Sequence, residues 1–447
     1  MDTLHYYIQT YGCQMNEADS EAMARLLERA GYAPASQPEE AAIIILNTCC
    51  VRAKPEQKVY SRLGELRAIK EKNPDLIIAV AGCMAQKEGP AMLKRVPYLD
   101  MVIGTRQFHR LEEFLHTCGP GGQRICALGL EDDPSAARAA PSPIVQQDTS
   151  NLKAFVPIIL GCDNYCTYCI VPFVRGRQKS RPIEELRSEV SELVARGCKE
   201  VTLLGQNVLA YGRDLSDGRD FVSLLEDLNS IDGLERIRFT TAHPRDVHDR
   251  LIEAVANLPK VCEHLHLPIQ AGQDRLLQAM NRGYTTAYYL NMAQKIRARI
   301  PDAAITTDIM VGFPGETEEE FAASMAFYEK LAFDQAFMFI YSPRPGTPAA
   351  KMAEQIPYKV KQARLVQLVE LVNTTSIRIN RTWIGRTEEV LGDEVSEKDA
   401  AKISGRLRNN KMVVFPGPAD RIGQFVQVEI TGAHLWGLTG EEIWEGS

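Results

Sequence analysis

Within the first hundred residues, three short apolar runs each lead into a cysteine, and this regularity restricts the fold more than any other feature of the chain. Residues 5–10 run into Gly12-Cys13, residues 42–46 into Asn47-Thr48-Cys49-Cys50, and residues 76–80 into Ala81-Gly82-Cys83. The second and third runs are continuous and rich in isoleucine and valine, as in strands covered on both faces of a parallel sheet. Helical patterns separate them. Residues 17–30 set Met23, Leu26 and Leu27 on one face, and residues 55–72 open with proline in the first turn. Alternating strands and helices dictate a parallel sheet with right-handed crossovers. All strands of such a sheet end at one edge, where ligands usually bind. Cys13, the Cys49-Cys50 pair and Cys83 are therefore expected to converge there and hold a metal group. Neighbouring residues of an extended chain point opposite ways, so only one of Cys49 and Cys50 should face that group.

A second trio lies in one short run, Gly161-Cys-Asp-Asn-Tyr-Cys-Thr-Tyr-Cys-Ile170, with Cys162, Cys166 and Cys169. Thiolates are soft ligands suited to iron–sulfur clusters, copper(I) or zinc. A structural zinc site calls for a fourth Cys or His close by, and none stands in the local sequence. Three cysteines cannot all pair as disulfides. Three thiolates can hold three irons of a 4Fe–4S cluster and leave the fourth without a protein ligand. The total of eleven cysteines is odd and resembles no secreted disulfide framework. Together with an N-terminus lacking a secretory signal pattern, this predicts a cytoplasmic protein with reduced thiols. Cys118 and Cys126 flank a Gly/Pro-rich turn, and Cys198 and Cys262 sit at helix–strand boundaries; these four are read as packing thiols.

Residues 119–150 are rich in Gly, Pro, Ala and Asp and read as a linker. Beyond it the alternation resumes, with strands expected at 154–160, 199–205, 235–241, 262–268, 303–311 and 334–341. Helices are expected at 183–196, 221–228, 249–257, 285–299 and 318–331. Six such units predict a partial (β/α)6 barrel whose active face lies at the strand carboxyl ends. Polar residues gather at those ends: Gln206, Asn207, His243, His266, Gln270, Asp308 and the Gly312–Gly315 turn. Arg175, Arg177, Lys179 and Arg181 follow the cysteine run; an anionic substrate and a plain solvated surface both account for them.

A helix over 358–380 leads to a tail with short strands at 387–391, 402–408, 411–415 and 425–431, as in a small oligonucleotide-binding type of barrel. The chain carries a net charge of −7, which excludes a strongly basic, non-specific nucleic-acid binder. From Arg381 onward there are eight Lys/Arg against eleven Asp/Glu. An RNA face must therefore be local, and the acid-free stretch with Lys402, Arg406, Arg408 and Lys411 is its candidate. No apolar run approaches the length of a membrane span, and no membrane partner is expected.

Several strings carry a resemblance over the whole chain: Tyr11-Gly-Cys-Gln-Met-Asn16, Asn47-Thr-Cys49 with Val51-Arg52, Ala81-Gly-Cys-Met-Ala-Gln86, and Gly161-Cys…Cys169 followed by Val171-Pro-Phe-Val-Arg-Gly-Arg177. The chain resembles the radical S-adenosylmethionine methylthiotransferases. Leu203-Leu-Gly-Gln-Asn-Val208, Thr240-Thr-Ala-His-Pro244 and Ser404-Gly-Arg-Leu-Arg-Asn-Asn-Lys-Met-Val-Val-Phe415 are most similar to the branch acting on N(6)-dimethylallyladenosine in tRNA. The branches acting on threonylcarbamoyladenosine or on a ribosomal-protein aspartate are the alternatives.

The resemblance implies an N-terminal domain over 1–120 with an auxiliary cluster on Cys13, Cys49 and Cys83. Cys49 is preferred to Cys50 because Asn-Thr-Cys matches the family string. It further implies a radical core over 148–380 with a second cluster on Cys162, Cys166 and Cys169, and a TRAM domain over 381–447. S-adenosylmethionine would bind the open iron, with Tyr168, Gln206 and Gln270 as expected cofactor contacts and Arg406, Arg408 and Lys411 as RNA contacts. Implied partners are the tRNA anticodon stem-loop, an electron donor such as flavodoxin or ferredoxin, and a sulfur donor. No side chain is assigned as acid, base or nucleophile, because replacing an unactivated aromatic C–H is work for the cofactor.

Overall fold

The computed structural model describes residues 3–50, 53–118, 122–130 and 152–443. Val51-Arg52 of the quoted string, and most of the expected linker (119–121 and 131–151), lie outside the described residues.

The first sheet has six strands in the order Ala33–Pro34, His5–Tyr11, Ile43–Thr48, Ile77–Gly82, Met101–Ile103 and Ile125–Ala127, all parallel. Both faces are covered, which explains the continuous apolar runs. Ile44, Leu46, Ile78 and Val80 pack with Val59, Leu63 and Leu66 of helix Ala53–Lys72. Ile43, Ile45, Ile77 and Ala79 pack with Met23 and Leu27 of helix Gln14–Arg29 and with Leu111 and Phe114. The two outermost strands after Ile77–Gly82 were not expected. Ile125–Ala127 lies within the stretch read as linker, so the sheet reaches further along the chain than its apolar pattern shows.

The central region carries two parallel three-stranded sheets. One has Lys153–Pro157, Glu200–Leu204 and Arg236–Phe239; the other has His264–His266, Ala304–Val311 and Gln335–Ile340. A parallel bridge from Ile237 to Val261 joins them, with Cys262 N donating to Ile237 O at 2.9 Å. The result is the expected partial barrel of six strands. Helices Asp249–Asn257 and Glu318–Leu331 cover its outside with their apolar stripes turned inward. Thr317 and Glu320 form a reciprocal cap that fixes the start of the latter helix.

Helix Tyr358–Arg381 leads to a closed barrel of Thr387–Val395, Lys402–Arg406, Met412–Pro416, Gly437–Glu442 and Phe425–His434. Its core includes Val390, Ile403, Val413, Phe415, Val428 and Leu438. This barrel docks on the amino ends of the central strands. Arg236 Nη1 donates to Arg406 O at 2.7 Å, Arg238 Nη1 to Arg408 O at 2.7 Å, and Lys199 Nζ to Gly423 O at 2.8 Å. The carboxyl ends of the strands, with the cysteine run, form the opposite rim. Among the described residues no helix is long and apolar enough to cross a membrane.

Candidate metal and cofactor site

The strand register brings the first cysteines together. Tyr11 stands opposite Thr48, and Thr48 opposite Gly82, so three strands end level. Cys49 N donates to Tyr11 O at 2.9 Å. Cys13 then precedes helix Gln14–Arg29, and Cys83 opens helix Cys83–Glu88. Beneath them lies a buried amide network: Asn16 Nδ2 donates to Asn47 Oδ1 at 3.1 Å, and Asn47 Nδ2 to Asn16 O at 2.7 Å and Ser20 Oγ at 2.9 Å. Gly82 has φ of 93°, and a Cβ there would lie 2.5 Å from Asn47 Oδ1 and 2.6 Å from Thr48 O. Only glycine lets these two strand ends approach.

Charge in this pocket favours thiolate. A hydrogen bond from Cys49 and the Arg175 guanidinium hold the Cys13 thiol below its ordinary range. Cys83 is lowered in the same way by a hydrogen bond from Cys50 and by Arg175. Cys50 is pushed up by that bond and by burial among Leu46, Val59, Leu63 and Met84. Cys50 thus stands against Cys83, and Cys49 beside Cys13.

The second trio is shaped by its loop. Gly161, at φ 77°, lets the chain pass so close to the following segment that a Cβ would meet Arg177 O at 2.1 Å. Cys162 N donates to Gly176 O at 3.2 Å and Cys169 N to Cys166 O at 2.9 Å. Thr167 N donates to Met280 O at 3.1 Å, and Ala349 N to Thr167 O at 2.9 Å. The loop is thereby tied to two distant turns of the core. Burial pushes the Cys162 thiol up, and burial with the Cys166 charge pushes Cys169 up to about 12. Arg282 Nη1 lies 3.4 Å from Cys166 Sγ and 3.4 Å from Tyr168 Oη. Arg282 was missed in the sequence. Its one local sign in the sequence is the flanking Asn281 and Gly283, residue types that tolerate the positive φ both adopt here.

Two of the four cations after this loop, Arg175 and Arg181, are buried in ion pairs. Arg175 is buried and paired with Asp19 at 2.7 Å. Arg181 is buried between Glu185 at 2.6 Å and Glu189. Arg177, largely exposed, bonds Asp163 at 2.8 Å. Lys179 stands in the two-residue strand Lys179–Ser180.

At the rim, Gln206 Oε1 accepts from Gly161 N and so holds the cysteine loop. Gln270, at φ 70°, bonds by its backbone to Asp308 O at 2.9 Å. Tyr168 packs against the group of Ala271, Leu276, Phe313 and Tyr341. His266 Nδ1 lies 3.0 Å from Thr306 Oγ1 and its Nε2 3.6 Å from Asp308. Asn207 bonds Asp246 at 2.7 Å and accepts from His243 N at 3.0 Å.

The expected RNA contacts all have partners within the protein. Arg408 Nη2 pairs with Glu263 at 2.7 Å, Lys411 Nζ with Asp334 at 2.7 Å, and Arg406 Nη1 bonds Asn410 O at 3.0 Å. Acids supplied by the central strands compensate a stretch that has none of its own. Arg408 and Lys411 fasten the small barrel to the core, while Arg406 ties the turn of its own hairpin.

The donor sets suit iron–sulfur clusters. Thiols that burial keeps protonated are ionised by the charge of a metal they bind. Among the described residues no three Cys, His, Asp or Glu side chains close on a single ion. A cubane puts each thiolate on a different iron, so its ligands stand wider apart than those of a one-ion site.

Comparison with known proteins agrees with this architecture. A family described as "Uncharacterized protein family UPF0004" matches residues 5–104, the "Radical SAM superfamily" residues 156–328, and the "TRAM domain" residues 372–443. The tRNA-2-methylthio-N(6)-dimethylallyladenosine synthase of Carboxydothermus hydrogenoformans is 47% identical, covering 97% of this chain and 98% of its own. That of Moorella thermoacetica is 46% identical, covering 98% of each. Among solved structures, the radical S-adenosylmethionine methyltransferase TsrM from Kitasatospora setae, with cobalamin and a 4Fe–4S cluster bound, has a TM-score of 0.58. It is 13% identical and covers 78% of this chain and 77% of its own, a likeness of fold alone. With relatives nearly half identical from end to end, the chain belongs to the tRNA-2-methylthio-N(6)-dimethylallyladenosine synthase family.

Proposed function

We propose that this protein is a radical S-adenosylmethionine methylthiotransferase that replaces the hydrogen on carbon 2 of N(6)-dimethylallyladenosine, beside the tRNA anticodon, by S–CH3. It uses two 4Fe–4S clusters, one on Cys13, Cys49 and Cys83 and one on Cys162, Cys166 and Cys169. The three units run from the N-terminus to the Ile125–Ala127 strand, then over 148–380, then from 381 onward. The observation that carries the reading is that the segment leaving the second cysteine trio inserts Arg175 beside the first. Two such groups at one site suit a reaction needing both a radical and a sulfur source. When bound, S-adenosylmethionine and the clusters supply the radical, the sulfur and the methyl group.

The chain's own residues position and insulate. Gln206 pins Gly161 and with it the cysteine loop. Arg282 Nη2 and Tyr284 Oη both donate to Pro268 O, holding the turn that carries Arg282 toward Cys166. Tyr168, Gln206 and Gln270 face the cofactor, and the anticodon loop offers bases that can be splayed onto the rim. An external electron donor and a sulfur donor complete the reaction.

The test sets three substrates side by side: tRNA carrying dimethylallyladenosine, tRNA carrying threonylcarbamoyladenosine, and a small-subunit ribosomal protein. Mass spectrometry should find the added S–CH3 on the first, and little on the same tRNA without the prenyl group. An apolar prenyl group can hold carbon 2 in near-attack geometry, worth several kcal/mol. Preferential turnover of either other substrate overturns the assignment.

A further inference from the structure

Arg175 is supplied by one part of the molecule and buried in another. It ends the short helix Val171–Arg175, just beyond Cys169, and its guanidinium lies beside Cys13 and Cys83. Thr105 Oγ1 donates to Val174 O at 2.6 Å, Arg106 Nε to Arg175 O at 3.0 Å, and Arg106 Nη2 to Arg177 O. Ile170 and Val174 pack into the apolar core of the six-stranded sheet with Cys50, Cys83 and Met84. On the other side, Gly176 O accepts from Cys162 N. The second cysteine loop therefore closes on itself between Cys162 and Gly176, with Arg175 at the closure. A buried guanidinium is costly unless compensated. Among the described residues the carboxylate of Asp19, 2.7 Å from Nη2, pairs with it, and Cys13 and Cys83 of the first trio lie beside it.

We infer that Arg175 is a positioning residue that sets the reduction potential of the centre held by Cys13, Cys49 and Cys83 and fixes that centre against the second cysteine loop. This rests on the two-cluster reading above. Cluster potentials respond to nearby charge and to hydrogen bonds at the sulfurs. A fixed cation favours the more negative, reduced state and raises the potential; Asp19 opposes it. The two residues should thus act with opposite sign, which a purely mechanical tie between the two parts would not produce.

The test is a potentiometric titration, followed by electron paramagnetic resonance, of the anaerobically reconstituted full chain. Arg175→Gln should lower the midpoint of one centre by at least 59 mV, a tenfold change in a one-electron equilibrium, and leave the other in place. Arg175→Lys should restore at least half of the shift. Asp19→Asn should raise the same midpoint. Unchanged midpoints in Arg175→Gln, or shifts of the same sign in Arg175→Gln and Asp19→Asn, overturn the inference. If Arg175→Gln cannot hold the centre, Asp19→Asn decides: a raised midpoint supports the inference and an unchanged one refutes it. Iron content separates the two readings, because wild-type protein with only about four irons fails the two-cluster reading itself.

Discussion

Replacing Lys411 by methionine keeps its apolar stem and removes its charge, and the seam beneath the small barrel should loosen in consequence. The side chains of Lys411 and Asp334 are 8% and 12% exposed, with Nζ 2.7 Å from the carboxylate and 3.1 Å from Asn380 Oδ1. Removing one partner of a buried pair costs about 3–5 kcal/mol, because the other charge is left unpaired. Asp334 would retain the hydrogen bond from Ile305 N at 3.0 Å, which puts the expected loss near about 3 kcal/mol. Arg408–Glu263, at 31% and 25% exposure, lies closer to the surface value of at most about 1 kcal/mol. Amide hydrogen exchange reads the effect locally. Strands Lys402–Arg406 and Met412–Pro416 should exchange roughly 100-fold faster in Lys411→Met, since each 1.4 kcal/mol is tenfold. The double variant Lys411→Met/Asp334→Asn should regain part of the loss. The salt dependence of tRNA binding should keep its slope. Unchanged exchange together with a slope reduced by about one counterion would refute this account and return Lys411 to the RNA.

Two further outcomes are expected. Reconstituted protein should hold about eight irons, and Cys162→Ala, Cys166→Ala and Cys169→Ala together should leave about four. Cys50→Ala should keep both centres, and an empty first site in that variant would make Cys50 a ligand. The second outcome concerns acid. Burial, then the charges of Arg282, Arg245 and Arg213, lower His243 to about 2, and its Nδ1 accepts from Arg245 N at 3.3 Å. The folded ring is therefore neutral, whereas the unfolded chain takes up a proton below about pH 6.5, so stability falls as pH falls through that value. For this one proton the slope is about 1.4 kcal/mol per pH unit. In cluster-free protein His243→Gln should flatten the decline of the melting temperature between pH 6.5 and 5.5, and an unchanged decline would show that His243 does not carry it.

Strands Ile43–Thr48 and Ile77–Gly82 of the first sheet were legible because burial on both faces demands uninterrupted apolar runs. Helices Asp249–Asn257 and Glu318–Leu331 announced themselves by the period of their apolar residues. The fifth barrel strand, Gly437–Glu442, did not. Its Gly440 is required because a Cβ would meet Glu429 O at 2.4 Å, and such a crossing leaves no β-branched signature. The cysteines were legible because few residue types bind soft metals and their spacing is local or strand-terminal. The basic residues were not. Arg175 and Lys411 take their roles from Asp19 and Asp334, which are remote in sequence, and a charge shows no partner until the chain has folded.

The placement of the small barrel makes the central strands a ruler. The cysteine rim stands at their carboxyl ends and the barrel at their amino ends, and Ala304–Val311, with eight residues, spans about 26 Å at ~3.3 Å each. Any RNA that touches both at once must run along the outside of the core for at least that height. A loop presented alone would reach the rim and stop short of the barrel.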